Sequence, residues 1–204
     1  MQVVLLSHTP LEVADIAISK CYNKTPYTDI TKQQARIDRV ANVSKHSSTI
    51  EHLQYSFDID GVSRALLQEL ARHRIASYTV KSTRYTLSEL KQESYLMNDK
   101  AAASKYIVMT GNDDIDQYSM MSLENLRSAV VAGIPNDKAK YCLPECYKTA
   151  LVWTINARAL QNFLSLRSDK HALWEIQQLA YAIFEQLPED HKFLFNQHMK
   201  DYND

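Results

Sequence analysis

The densest chemistry in the chain lies in Arg72-His73-Arg74-Ile75-Ala76-Ser77-Tyr78-Thr79-Val80-Lys81-Ser82-Thr83-Arg84-Tyr85. Within fourteen positions it carries four cations, one imidazole, several hydroxyls and two tyrosine rings. Arginine forks bind phosphate bidentately, and hydroxyls and free amides complete the needs of its oxygens. A flat tyrosine ring can cover a flat heterocycle. These residue types fit a nucleotide that offers both a phosphate and a ring. They fit a solvated basic turn equally well, since charge clusters are commonly just exposed. Consecutive helical residues point about 100° apart, so Arg72, His73 and Arg74 cannot share one helix face. One ligand can meet all three only where a helix ends, or where several ligands or subunits meet.

Other candidates are weaker. Cys142-Leu143-Pro144-Glu145-Cys146 lacks the spacing of zinc or redox pairs and reads as packed or incidental thiols. His46 and His52 stand six positions apart and no H-E-x-x-H occurs, which argues against a metal site. Ser82 has the hydroxyl of a nucleophile but no base beside it in sequence. His171, His191 and His198 read as surface or capping residues, and Met120-Met121 as core.

Bulk properties limit what such residues can serve. A chain of 204 residues suits one domain with a sizeable core. Lys+Arg 23 against Asp+Glu 24 leaves a formal charge of -1, without the basic surplus that coats nucleic acid. No apolar run is long enough to span a bilayer, and MQVVLLSHTP does not resemble a signal peptide. Three cysteines, Cys21, Cys142 and Cys146, suggest reduced thiols and a cytoplasmic setting. With only Gly61, Gly111 and Gly133, neither G-x-G-x-x-G nor G-x-x-x-x-G-K-[ST] can be written. Phosphates must therefore be held by side chains and helix ends.

The positioning elements read as follows. Val3 to Leu6 predicts a buried strand. Thr9-Pro10-Leu11-Glu12 predicts a capped helix start, and Thr31 to Gln34 a second one, with Ile37, Val40 and Ser44 on one side. Leu53, Tyr55, Phe57 and Ile59 alternate as a half-buried strand, with Gly61 as the turn after it. Residues 62–73 read as helix, and 75–86 as loop or irregular strand. Asp113 or Asp114 would cap a helix through Leu123, Leu126 and Val130, stopped by Gly133 and Pro135. Residues 145–166 read as helix. Leu173, Ile176, Ala180, Ile183 and Leu187 form a stripe ended by Pro188, and a short polar helix closes the chain. The fold class expected is α+β: a single helix-rich domain over 1–204 with a small, mostly antiparallel sheet.

Three separated segments resemble the flavin-dependent thymidylate synthases. Arg72-His73-Arg74, followed after seven residues by Ser82, is similar to that family's R-H-R-x7-S, and Arg84-Tyr85 continues the likeness. His46-Ser47-Ser48-Thr49-Ile50-Glu51-His52 resembles H-x-[ST]-x-x-E-H. Asn156 to Arg167 resembles N-A-R-x-L-x-N-F-L-x-L-R. The likeness runs in order from about residue 40 to 187.

The resemblance implies a methyltransferase that reductively methylates dUMP to dTMP. Methylenetetrahydrofolate would be the carbon donor, NADPH the reductant and FAD the cofactor, in a homotetramer whose sites are shared between chains. It places Ser48, Arg72, His73, Arg74, Asn156, Arg158 and Asn162 at FAD. It places Glu69, Arg72, Ser82, Thr83, Arg84, Lys140 and Arg167 at dUMP. Arg167 would also be catalytic, favouring ionisation of the uracil ring nitrogen as a fixed cation stabilises an anion. Two positions depart from the family: Val80 stands where Glu is frequent, and Lys140 where Arg is frequent, keeping charge without the fork.

Helical geometry adds a constraint. If 153–167 were one straight helix, Asn156 and Arg167 would lie about 20° apart. Arg158 and Asn162 would lie about 40° apart on the opposite side. One pocket in one chain would then not use all four easily. Asn156 and Asn162 also admit a plainer role, satisfying buried backbone. The competing functional class is a nucleic-acid-binding module, with the basic loop 72–85 and stacking by Tyr78 and Tyr85.

Overall fold

The computed structural model describes residues 1–200. Strand β1 (Gln2–His8) leads to helix α1 (Glu12–Cys21), then α2 (Ile30–Asp38), which continues as a π turn over Arg39–Val43. A 3-10 turn (Ser47–Ile50) precedes β2 (Gln54–Ser63), α3 (Arg64–Leu70) and β3 (Ala76–Val80). Single-turn helices α4 (Thr83–Thr86) and α5 (Lys100–Ala103) come before the long α6 (Asp113–Val131) and the short α7 (Asn136–Ala139). Strand β4 (Lys148–Asn156), α8 (Ala157–Arg167) and α9 (Trp174–Gln186) follow, then 3-10 turns at Glu189–Leu194 and Asn196–His198. The strands form one small antiparallel sheet in the order β1-β2-β4-β3, giving the expected helix-rich α+β class.

The chain divides into two compact units. One comprises Met1–Ile59, Glu69–Thr79 and the chain from Val152 on; the other comprises Asp60–Gln68 and Val80–Leu151. In the first, alternate residues of β2 and β4 turn Tyr55, Phe57, Trp153 and Ile155 inward. Leu160 and Phe163 of α8, and Ile176, Leu179 and Ile183 of α9, are buried in the same unit, where α9 packs on β1 and on α8. Phe163 stands edge-on to Trp153 at 5.0 Å, a preferred arrangement of aromatic quadrupoles. In the second unit, Met120, Leu123, Leu126 and Val130 recur along one face of α6 and pack with Leu87, Leu90, Leu96, Ile107 and Tyr147.

Several local expectations are corrected. The capping oxygens sit elsewhere than expected. Thr9 Oγ1 accepts from the Gln54 amide rather than capping α1. Asp29, not Thr31, caps α2, accepting from the Lys32 amide at 3.0 Å. Asn112, not Asp113 or Asp114, caps α6. Gly61 does not end β2 but lies within it at φ 72°, a backbone state that glycine adopts without a Cβ penalty. Val62 therefore belongs to the strand, and α3 is shorter than 62–73. Residues 76–80 are a regular strand. The largest correction is at 145–166, where β4 ends at Asn156 and α8 begins at Ala157.

Candidate functional site

Arg72, His73 and Arg74 lie beyond the end of α3 at Leu70, where helical phasing no longer separates their side chains. Arg72, His73 and Arg74 all border one open cleft of the first unit, with a volume of about 1200 Å³. The helix-end placement required for a shared ligand is thus the one found. Asn156, Arg158, Asn162 and Arg167 border the same cleft. This corrects the expectation that one pocket would not use all four. Asn156 is outside the helix as the N-cap of α8, its Oδ1 accepting from the Ala159 amide at 2.9 Å. That bond is the plainer backbone role considered for this side chain. Asn162 is exposed on α8.

Arg167, in the last turn of α8, is the most constrained cation of the cleft. Its Nε donates to His73 Nε2 at 3.0 Å, its Nη1 to Glu69 Oε2 at 2.9 Å and its Nη2 to the Glu69 carbonyl at 3.1 Å. Its side chain is only 16% exposed. Glu69 also lies 3.5 Å from Arg72 Nη1, a weaker, exposed contact. His73 is buried and stands edge-on to Phe163 at 5.1 Å. Burial first, and the Arg167 charge second, push its pKa down to about 4, against a smaller upward pull from Glu69. The ring is therefore neutral at ordinary pH. Arg158 pairs with Glu51 across the cleft wall at 2.6 Å.

The remaining sequence-predicted residues are not among those that line this cleft. Ser48 is exposed on the 3-10 turn Ser47–Ile50. Ser82, Thr83, Arg84 and Lys140 belong to the second unit. There Ser82 is the N-cap of α4, Thr83 is buried and Arg84 is exposed, with its guanidinium 5.8 Å from the Tyr85 ring. Asn136 of α7 donates to the Arg84 carbonyl at 2.9 Å, and α7 runs directly into Lys140. The loop of cations and hydroxyls and Lys140 are thus carried by packed neighbours, α4 and α7.

Tyr78 has a structural role in the first unit. Its hydroxyl lies 2.8 Å from the Leu70 carbonyl and 2.7 Å from the His73 carbonyl, its single proton shared between the two. Its ring packs near Trp153, with centroids 6.3 Å apart. Its hydroxyl is thus tied to the backbone of the segment that carries His73. His191 is also corrected: it is buried, with Nδ1 2.7 Å from the Tyr55 hydroxyl, not a surface residue. Conversely, Glu51, Ser165, Asp169 and His171 border the cleft without having been singled out for it. Glu51 had a usable signal, as the acidic position of the segment that carries Ser48. His171 lies beside Asp169, with its Nδ1 2.8 Å from Asp169 Oδ1.

Chemically, the cleft combines four arginines, a neutral imidazole, two amides and the apolar surface of Ile75, Ala159, Leu166 and Ala172. That set suits a ligand with both phosphates and a flat ring system.

Similarity to known proteins points the same way. The profile of the family described as thymidylate synthase complementing protein matches residues 4–191. A flavin-dependent thymidylate synthase of Campylobacter jejuni is 54% identical over 198 residues, covering 96% of each chain. One from Helicobacter pylori is 48% identical over 207 residues, covering 98% of this chain and all of its own. The crystal structure of Helicobacter pylori thymidylate synthase X with FAD and dUMP superposes with a TM-score of 0.94 at 46% identity, over 98% of this chain and 100% of that one. The chain therefore belongs to the thymidylate synthase complementing protein family and is a flavin-dependent thymidylate synthase.

Proposed function

We propose that the chain reductively methylates dUMP to dTMP, with methylenetetrahydrofolate as carbon donor, NADPH as reductant and FAD as cofactor. The observation that carries this reading is Arg167. It is a cation fixed by three hydrogen bonds on the wall of a cleft that also holds Arg72, His73, Arg74, Asn156, Arg158 and Asn162. The cleft volume is above the ~300–1,000 Å³ usual for small-molecule sites, as a dinucleotide needs. Ser48 completes the proposed flavin set. When bound, the flavin supplies the reducing equivalents.

The chain's own residues then have distinct tasks. Arg72, Arg74 and Arg158 bind phosphate oxygens, with forks suited to bidentate contact. Ser82 and Thr83, at the start of α4, and Arg84 hold the dUMP phosphate. Glu69, Arg72 and Lys140 contact the nucleotide. Arg167 stabilises the ionised ring nitrogen of uracil, since a fixed cation favours the anionic form. Val80 offers no polar contact where the family resemblance leads to an expected Glu, and Lys140 acts as a point charge. The whole chain works as one catalytic domain within a cytoplasmic homotetramer whose sites draw on more than one copy. The near-complete coverage of the relatives supports the single-domain reading. The exposed thiols of Cys21 and Cys142 suit a reducing compartment.

The test is the purified protein's visible spectrum, followed by assay of dTMP. Flavin absorbance that bleaches with NADPH, and dTMP formation that needs methylenetetrahydrofolate, are expected. Arg167→Ala should keep the flavin and lose at least about a hundredfold in kcat, as removal of one transition-state contact does. Wild-type turnover in that variant would exclude the assigned role. A colourless protein that binds DNA with steep salt dependence would favour the nucleic-acid module instead.

A further inference from the structure

Among the described residues, the Arg167 guanidinium is held by hydrogen bonds to one short segment, Glu69 to His73. The two partners differ in firmness. The Glu69 side chain is 32% exposed, so water competes for its carboxylate. His73 is 8% exposed and lies against Phe163. Arginine has no acceptor atom, so the bond at 3.0 Å requires a bare lone pair on His73 Nε2 and the proton on Nδ1. Protonation of His73 would remove that lone pair and set two cations side by side. The titratable groups facing the ring are Arg167 and Glu69. Behind the ring, the Tyr78 hydroxyl ties the carbonyls of Leu70 and His73 together. The backbone that carries the imidazole is thereby held on its far side as well.

We propose that His73 is a positioning residue for Arg167: through Nε2 it holds the Nε–H edge of the guanidinium, which neither the partly exposed carboxylate nor the carbonyl of Glu69 reaches. The role is separate from any contact of His73 with a cofactor, because it uses the ring nitrogen turned toward Arg167. It rests on the preceding section for what Arg167 does, and on geometry alone for how Arg167 is held.

The flavin-loaded enzyme tests it with two variants. His73→Phe keeps a ring edge against Phe163 and lacks the acceptor, whereas His73→Gln carries an oxygen near the position of Nε2. The direct readout is hydrogen exchange of the Arg167 Nε–H by NMR, its resonance identified by loss in Arg167→Lys. Exchange at least about tenfold faster is expected in His73→Phe, with near wild-type exchange in His73→Gln. In turnover, kcat should fall about tenfold in His73→Phe, with KM for dUMP changed by less than about threefold. The rising limb of its pH profile should move to higher pH, because uracil ionisation loses its placed cation. Wild-type exchange in His73→Phe, or equal damage in both variants at equal flavin content, overturns the proposal. If His73→Phe does not fold, His73→Asn, too short to reach Arg167, takes its place. A wild-type enzyme that forms no dTMP would sink the functional reading, while the exchange comparison would still decide the positioning role.

Discussion

At the scale of single residues, the informative groups are neutral or paired where the sequence suggested open charge. His73 and His191 are both held well below the ordinary histidine value of 6.5, at about 4, chiefly by burial. The unfolded chain therefore binds more protons than the folded one between these values. The stability the two rings contribute is complete above about pH 6.5 and is lost as pH falls through about 4. Denaturant midpoints should decline across that window, and His191→Gln should flatten the decline. A midpoint that is level from pH 7 to 4 would contradict the burial assigned to both rings. His191 shows why such a group is hard to read from sequence. It follows Pro188-Glu189-Asp190, a polar run, and its burial depends on Tyr55, 136 positions away.

At the scale of elements, the helices that were misplaced were misplaced at their caps. Asp29, Asn112 and Asn156 each accept an amide three residues on, and each lies near another residue able to cap. Asp29→Ala should cost about 1 kcal/mol and lower Tm by about 2–4 °C, with dTMP formation unchanged because no residue of α2 lines the cleft. No loss of Tm would argue that the cap is redundant. The 145–166 region carried a clear signal that competed with a second one. Leu151, Trp153 and Ile155 alternate with Val152 and Thr154 at the period of a strand, but the apolar wide arc of α8 directly follows and extends the helical pattern backwards. The order of the three motif segments was legible throughout. Their convergence was legible only in part, because it depends on Asn156 standing outside the helix.

At the scale of the whole molecule, the candidate residues are distributed over two compact units, the flavin set on the first and Ser82, Thr83, Arg84 and Lys140 on the second. Nothing in a linear pattern marks such a division, since β2 and β4 both pass through it without a linker. The proposed assembly is testable at this scale. Light scattering should give a mass four times that of one chain, and activity should fall on dilution as subunits part. A monomer of full activity would exclude shared sites.

Helix α8 also acts as a ruler. Its eleven residues hold the Asn156 end and the Arg167 end of one cleft wall about 16 Å apart, at 1.5 Å per residue. The spacing is discrete, because each residue added or removed also turns the far end by about 100°. One extra residue inside α8 would swing Arg167 away from Glu69 and His73 altogether, whereas extra residues between Ser168 and Leu173 would leave it in place. Added length in this part of the chain is therefore tolerated only in the loop beyond the helix, and the distance along this cleft wall can change only in whole residues.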